Sequence, residues 1–240
     1  MNLYVSKTFR SLVVLTSMAL LVACSASAPD YAAIVASPDR PANERSLDAA
    51  RKPHEVMAFY GVKSGEKVAD ISAGRGYYTA ILSEIVGAQG TVYTVNPNSR
   101  DEINQRWKAP KFANVRVADG AFDKLASLPD GSLDFVIIHL NYHDLAPEVR
   151  GPMNRRVLAV LKKGGTYAVV DHSAKDGSGN EATKTLHRID RLLVIKEVTS
   201  AGFTLGKEGD MLRKPEDPRD FNVNKIRNKD DRFVLRFEKP

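Results

Sequence analysis

The stretch Val68-Ala69-Asp70-Ile71-Ser72-Ala73-Gly74-Arg75-Gly76-Tyr77-Tyr78-Thr79 decides the fold. An apolar strand-like run enters a turn of small residues, and a helical pattern starts directly after it, which is the order of a nucleotide-binding βα junction. Gly74 and Gly76 carry no side chain, so the backbone there can approach a ligand and take torsions closed to other residues. The helix that follows offers unpaired N–H groups at its start, where a carboxylate or phosphate can dock. Two glycines also suit any tight strand-to-helix turn, so the surrounding sequence has to decide between the two readings.

Outward from this junction, strand-like and helix-length stretches alternate. The spacing predicts strands over Lys67–Ser72, Thr91–Asn96, Val115–Ala118, Leu133–Leu140 and Thr166–Asp171, with crossover helices over Tyr78–Val86, Arg100–Trp107 and Glu148–Leu161. That alternation implies a parallel α/β sheet. Upstream, Leu47–Tyr60 reads as helical, with Pro53 in a first turn and Gly61 as the stop. Downstream, Leu186, Ile189, Leu193 and Val194 form a helical stripe within Thr185–Ser200. Gly206–Asn228 is polar and proline-bearing, an irregular insertion placed where a lid could form, and Phe233–Phe237 is a final strand.

Asp70, Ala73, Gly74 and Gly76 match the first motif of the class I S-adenosylmethionine-dependent methyltransferases, and the segment resembles that motif, with Ser72 where the family often has its first glycine. Val117-Ala118-Asp119-Gly120 resembles the loop whose acidic residue meets the adenine amino group. Leu133 to His139 resembles the fourth strand, Leu161-Lys162-Lys163-Gly164-Gly165 the turn before the fifth, and Arg232 to Phe237 the last. The resemblance runs from Pro53 to Pro240 and points to an exported group of methyltransferases that also carries Thr-Leu-His-Arg-Ile-Asp, here Thr185 to Asp190. It implies a Rossmann-like class I methyltransferase fold, a mostly parallel seven-stranded sheet with helices on both faces. It also implies S-adenosylmethionine as cofactor, held by Asp70, Ser72, Ala73, Gly74, Gly76, Asn96, Asp119, Gly120 and His139. Asn96 is a departure, because the family's second strand usually ends in an acid that grips both ribose hydroxyls. An amide can accept one such bond and donate another, without the charge that strengthens a carboxylate bond.

Ligands of open parallel sheets bind beyond the carboxyl ends of the strands, so acceptor-site residues are expected after strands four and five. There stand His139-Leu140-Asn141-Tyr142-His143-Asp144 and Asp171-His172-Ser173. Methyl transfer is an in-line displacement that needs a positioned acceptor and, for a hydroxyl or protonated amine, a base. Histidine titrates in the right range, which makes His143 and His172 the leading bases, with Tyr142 beside them. Such residues also commonly just hydrogen-bond neighbouring loops; His54 is read that way, and His187 lies either at the acceptor pocket or on a solvated face. Asn141-Tyr142 lacks the prolines of the Asn-Pro-Pro-Tyr motif of amino-group methyltransferases, so that substrate class is not assigned. His139, His143, Asp144 and His172 fit no standard zinc spacing, and no metal is expected. A small-molecule acceptor is the expectation. The second reading is a non-catalytic binding module that keeps the fold. A nicotinamide oxidoreductase is disfavoured because the loop lacks the full dinucleotide spacing.

Of the 240 residues, 43% are hydrophobic and 27% charged, ordinary for a soluble globular chain and unlike a polytopic membrane protein. The net charge of +6 is spread along the chain, and no basic stripe interleaved with aromatics marks a nucleic-acid partner. Lys7 and Arg10 precede an apolar run from Leu12 to Ala23, too short for a spanning helix and suited to a secretory signal. Leu21-Val22-Ala23-Cys24 resembles the bacterial lipobox, and Ala26-Ser27-Ala28 an ordinary cleavage site. The lipobox is favoured because the chain's single cysteine sits where the lipid-accepting thiol belongs, while Pro29 would follow the alternative cut. The expected organisation is a signal over 1–23, a tether over 24–45 and the methyltransferase-like domain over 46–240, anchored through Cys24 in the cell envelope or periplasm. S-adenosylmethionine is made in the cytoplasm, so an exported enzyme would need either a supplied cofactor or a failed signal.

Overall fold

The computed structural model describes Met1 and residues 28–98, 101–122, 125 and 128–240. The expected signal and Cys24 lie outside the described residues. No helix among those described is long and apolar enough to cross a membrane.

The sheet has the strand order β3-β2-β1-β4-β5-β7-β6. Its strands are β1 (Lys67–Ile71), β2 (Thr91–Val95), β3 (Val115–Val117), β4 (Leu133–His139), β5 (Leu161–His172), β6 (Thr204–Gly209) and β7 (Arg232–Glu238). Neighbours from β3 through β5 pair in parallel, whereas β7 runs antiparallel to both β5 and β6. The order reverses between β1 and β4, and at that switch point the connections leaving their carboxyl ends run to opposite faces of the sheet and leave a crevice.

The inner strands β1, β4 and β7 are buried on both faces, which is why they read as near-continuous apolar runs, whereas the edge strands β3 and β6 are largely exposed. Along β4, Val136 and Ile138 face one core while Phe135 and Ile137 face the other. The first core is closed by α7 (Pro147–Val160) and α9 (Arg191–Ser200), through Met153, Val157, Val194 and Val198. The second is closed by α4 (Pro53–Tyr60) and α5 (Tyr77–Val86), through Val56, Met57, Ile81 and Ile85. The expected Rossmann-like class I methyltransferase fold, with helices on both faces, is the fold observed.

The helix expected over Arg100–Trp107 is α6 (Asp101–Arg106), but several other boundaries differ from expectation. Residues 31–45, read as tether, form α1 (Tyr31–Ala36) and α2 (Ala42–Arg45), and they belong to the domain. Val35 is buried in the second core, Tyr31 donates to Val62 O at 2.7 Å, and Arg40 grips Asp48 through two bonds. The Ala-, Ser- and Pro-rich composition had concealed this short amphipathic turn. The helix expected over Leu47–Tyr60 is two, because Lys52, ahead of Pro53, adopts φ +43 between α3 (Asp48–Arg51) and α4. Gly61 ends α4 as anticipated, at φ +70 with its N–H on Met57 O.

The helix expected over Thr185–Ser200 is also broken. α8 (Thr183–Leu186) stops at His187, φ +55, and α9 restarts after Asp190, whose side chain accepts from Leu192 N–H. Between them Arg188 turns inward to a fully buried ion pair with Asp217 at 2.7 Å. Part of the expected irregular insertion is strand β6, and residues 210–231 carry turns held by Asp217 and Asp231.

Candidate active site

A cavity of about 380 Å³ opens at the carboxyl ends of β1, β4 and β5. Its lining includes Asp70, Ser72, Ala73 and Gly74 from the β1–α5 turn, His139 and Asn141 after β4, and His172 from β5. Register brings these together: Ile71 pairs with Ile138 and His139 with Val170, so β4 ends one residue beyond β1, and β5 runs two further to His172.

The turn is built as the sequence predicts, with one surprise at Ser72. Gly74 and Gly76 have φ +58 and +81, and Ser72, where the family often has glycine, takes φ +56. A Cβ on Gly74 would meet nothing within 4 Å, so the loop faces open space there. Gly76 has a different reason, since a Cβ would lie 2.2 Å from the Trp107 ring.

Asp70 is buried and accepts a bond from Thr79 Oγ1 at 2.7 Å. Burial pushes its carboxyl up to about 7, opposed by the Thr79 bonds and the Arg51 charge. Across the cavity the His139 ring lies 4.5 Å from that of Tyr78. Neither His139 Nε2 nor the Tyr78 hydroxyl has a hydrogen-bond partner, although both are buried. Orphaned polar atoms in a cavity wall are costly unless a ligand or water meets them. Burial, followed by the nearby Arg51 and Arg232 charges, holds His139 well below the ordinary histidine range.

His172 is the other polar wall. Its Nδ1 lies 2.5 Å from Asp230 Oδ2, and Arg232 holds both oxygens of the same carboxylate at 2.7 and 3.1 Å. Burial lowers the His172 pKa, outweighing the upward pull of Asp230 and Asp171, so the ring is neutral at pH 7. Against its own burial, Asp230 is held below the usual carboxylate range by His172 and Arg232. With Nδ1–H donated to Asp230, Nε2 keeps its lone pair, the arrangement of an oriented general base.

The other sequence-predicted residues fall elsewhere. Tyr142 is fully buried, its hydroxyl donating to Glu197 at 2.8 Å and accepting from Asn154, so it braces the core and cannot serve in the cavity. His143 has Nδ1 at 2.8 Å from Asp171 and Nε2 at 3.2 Å from Asp144. Burial disfavours its charge, yet the two carboxylates prevail and push it up to about 10. A ring protonated on both nitrogens has no lone pair, so the expectation of His143 as a base is corrected.

Asn96 turns inward, its Oδ1 accepting from Gly74 N–H at 2.9 Å, and so latches the loop rather than lining the cavity. Asp119 in turn accepts from Asn96 N–H at 2.9 Å, and Gly120 N–H donates to Asn96 O at 2.8 Å. These residues brace the turn from behind.

Sequence reasoning missed Arg51, Tyr78 and Asn224 in the lining and Asp230 and Arg232 behind His172. The signal for the last two was the charged Asp230-Asp231-Arg232 run immediately before an apolar strand.

The architecture is that of the class I S-adenosylmethionine-dependent methyltransferases. Residues 68–165 match the family model described as a methyltransferase domain. A SAM-dependent methyltransferase from Aquifex aeolicus superposes with a TM-score of 0.61 at 20% identity, over 84% of this chain and 99% of that one. A protein-L-isoaspartate O-methyltransferase of Ignicoccus hospitalis is 36% identical over 61 residues, 25% of this chain and 29% of the relative. The ubiquinone/menaquinone biosynthesis C-methyltransferase UbiE of Azotobacter vinelandii is 31% identical over 124 residues, 49% of this chain and 47% of the relative. The chain therefore spans less than half the length of these two curated relatives.

Proposed function

We propose that the protein is an S-adenosylmethionine-dependent methyltransferase acting on a small-molecule acceptor, with His172 as the base. The observation that carries this reading is one cavity lined both by the Asp70–Gly74 turn and by the Asp230-oriented imidazole of His172. Ligand pockets span roughly 300–1,000 Å³, and the cavity falls in that range. Open space over Gly74 and the unpartnered Tyr78 hydroxyl and His139 Nε2 fit a polar ligand in contact with the turn. Asp70 would meet a cationic group, which would draw its pKa back down, and Arg51 an anionic one. When bound, S-adenosylmethionine supplies an electrophilic methyl group on sulfur. The protein's part is to position the acceptor and to accept its proton at His172 Nε2.

Titration calorimetry on the purified chain is expected to show binding of S-adenosylmethionine or its demethylated product, abolished in Gly74→Arg. Absence of heat and of any thermal shift at millimolar ligand would overturn the proposal. That outcome would favour the second reading, a non-catalytic binding module, supported by the amide of Asn96 at the end of β2, which is turned onto Gly74 N–H and does not line the cavity.

Export is a separate proposal, resting on Lys7, Arg10, the apolar run to Ala23 and Cys24. Metabolic labelling with palmitate is expected to mark the chain through Cys24, giving the several acyl chains that stable anchoring needs. Label that persists in Cys24→Ser would reject the lipobox.

A further inference from the structure

Among the described residues, one group of side chains is disposed to ligate a metal ion: His143, Asp144 and His187. His143 Nε2 lies 3.2 Å and His187 Nδ1 3.3 Å from the same oxygen, Oδ1 of Asp144. The candidate ligand atoms are all within 4.8 Å of one another. None of the three lines the cavity, but the His143 ring stands 5.5 Å from that of His172 and 5.7 Å from that of His187.

The group has a built support. His143 Nδ1 is held by Asp171, whose two oxygens also accept the backbone N–H groups of His143 at 2.7 Å and His172 at 2.8 Å. A buried carboxylate on one imidazole nitrogen is what fixes the tautomer and direction of a metal-ligating histidine, leaving the other nitrogen for the ion. Here that other nitrogen is Nε2, the one turned toward Asp144. An ion at the site takes the place of the proton on His143 Nε2, and Asp144 and Asp171 then supply two negative charges, the complement of a divalent cation. Asp144 is exposed and His187 half-buried, so an ion has a path from solvent.

We propose that His143, Asp144 and His187 form a binding site for a divalent transition-metal ion of the zinc type, with a coordination position left open. Two imidazoles and one carboxylate suit zinc and its neighbours, whereas magnesium and calcium take all-oxygen sets. Three protein ligands leave the fourth tetrahedral position to water or to an incoming oxygen or sulfur atom. The site stands whether or not the chain transfers methyl groups, because it rests on none of the cavity residues.

The test is titration of the untagged, metal-stripped chain with zinc chloride by calorimetry and with cobalt chloride by visible absorption. One equivalent is expected to bind, with the d–d bands of tetrahedral cobalt. Asp144→Ala and His187→Ala, both at solvent-accessible positions, are each expected to weaken binding by about tenfold or more, while His54→Ala leaves it unchanged. Circular dichroism verifies that each variant folds. No binding by the wild-type chain would overturn the proposal, as would binding that survives both substitutions.

Discussion

At the scale of single residues, the cavity trades stability for polarity. Asp70 illustrates the trade, since its folded pKa of about 7 lies above the unfolded value of 3.8. For a group raised in this way, the ionised form is disfavoured by the fold. Its contribution is fully present below pH 3.8 and is lost as the pH rises through 7. Asp70→Asn keeps an oxygen for Thr79 and removes the charge. It is expected to raise stability at pH 8 by about 4 kcal/mol, with most of the gain gone at pH 4, and to weaken S-adenosylmethionine binding. Urea unfolding of both proteins at the two pH values measures it, and an equal difference at both would refute the buried-charge account. The acidic position itself was legible in sequence from its place at the end of an apolar run. The left-handed backbone of Ser72 was not, because serine adopts that region only when the surrounding turn demands it.

At the scale of elements, the two loop glycines separate cleanly. Gly76 is needed for φ +81 and for the Trp107 ring that would stand 2.2 Å from a Cβ, whereas Gly74 at φ +58 faces open space. Gly76→Ala should therefore cost about 3 kcal/mol, from backbone strain and a displaced tryptophan, and Gly74→Ala about 1 kcal/mol from strain alone. Equal losses in denaturant midpoint would show that the Trp107 packing is not what requires Gly76. The alternation of strands and helices was readable because buried parallel strands carry continuous apolar runs and crossover helices need a minimum length. The break at His187 was not. The apolar stripe through Leu186, Ile189, Leu193 and Val194 continues across it, and only the buried Arg188–Asp217 pair, bridging distant parts of the chain, decides that the helix stops there.

At the scale of the whole molecule, local sequence and tertiary structure divided the work by distance along the chain. The glycine turn, the strand order's βα rhythm and the end of α4 depend on residues within a few positions of one another, where torsional preference and periodicity act, and the sequence by itself determined them. It also carried His172 as a candidate base, though not the reason for it. What only the tertiary structure decided are pairings across long separations: Asp230 on His172, Asp171 on His143, and His187 on Asp144. Those contacts choose which histidine is neutral and which is a cation, because burial and the nearest carboxylates set a histidine's charge and neither can be read from neighbouring letters. The same holds for residues 31–45, whose composition reads as a tether and whose Val35, Arg40 and Glu44 are buried against partners that arrive only when the chain folds.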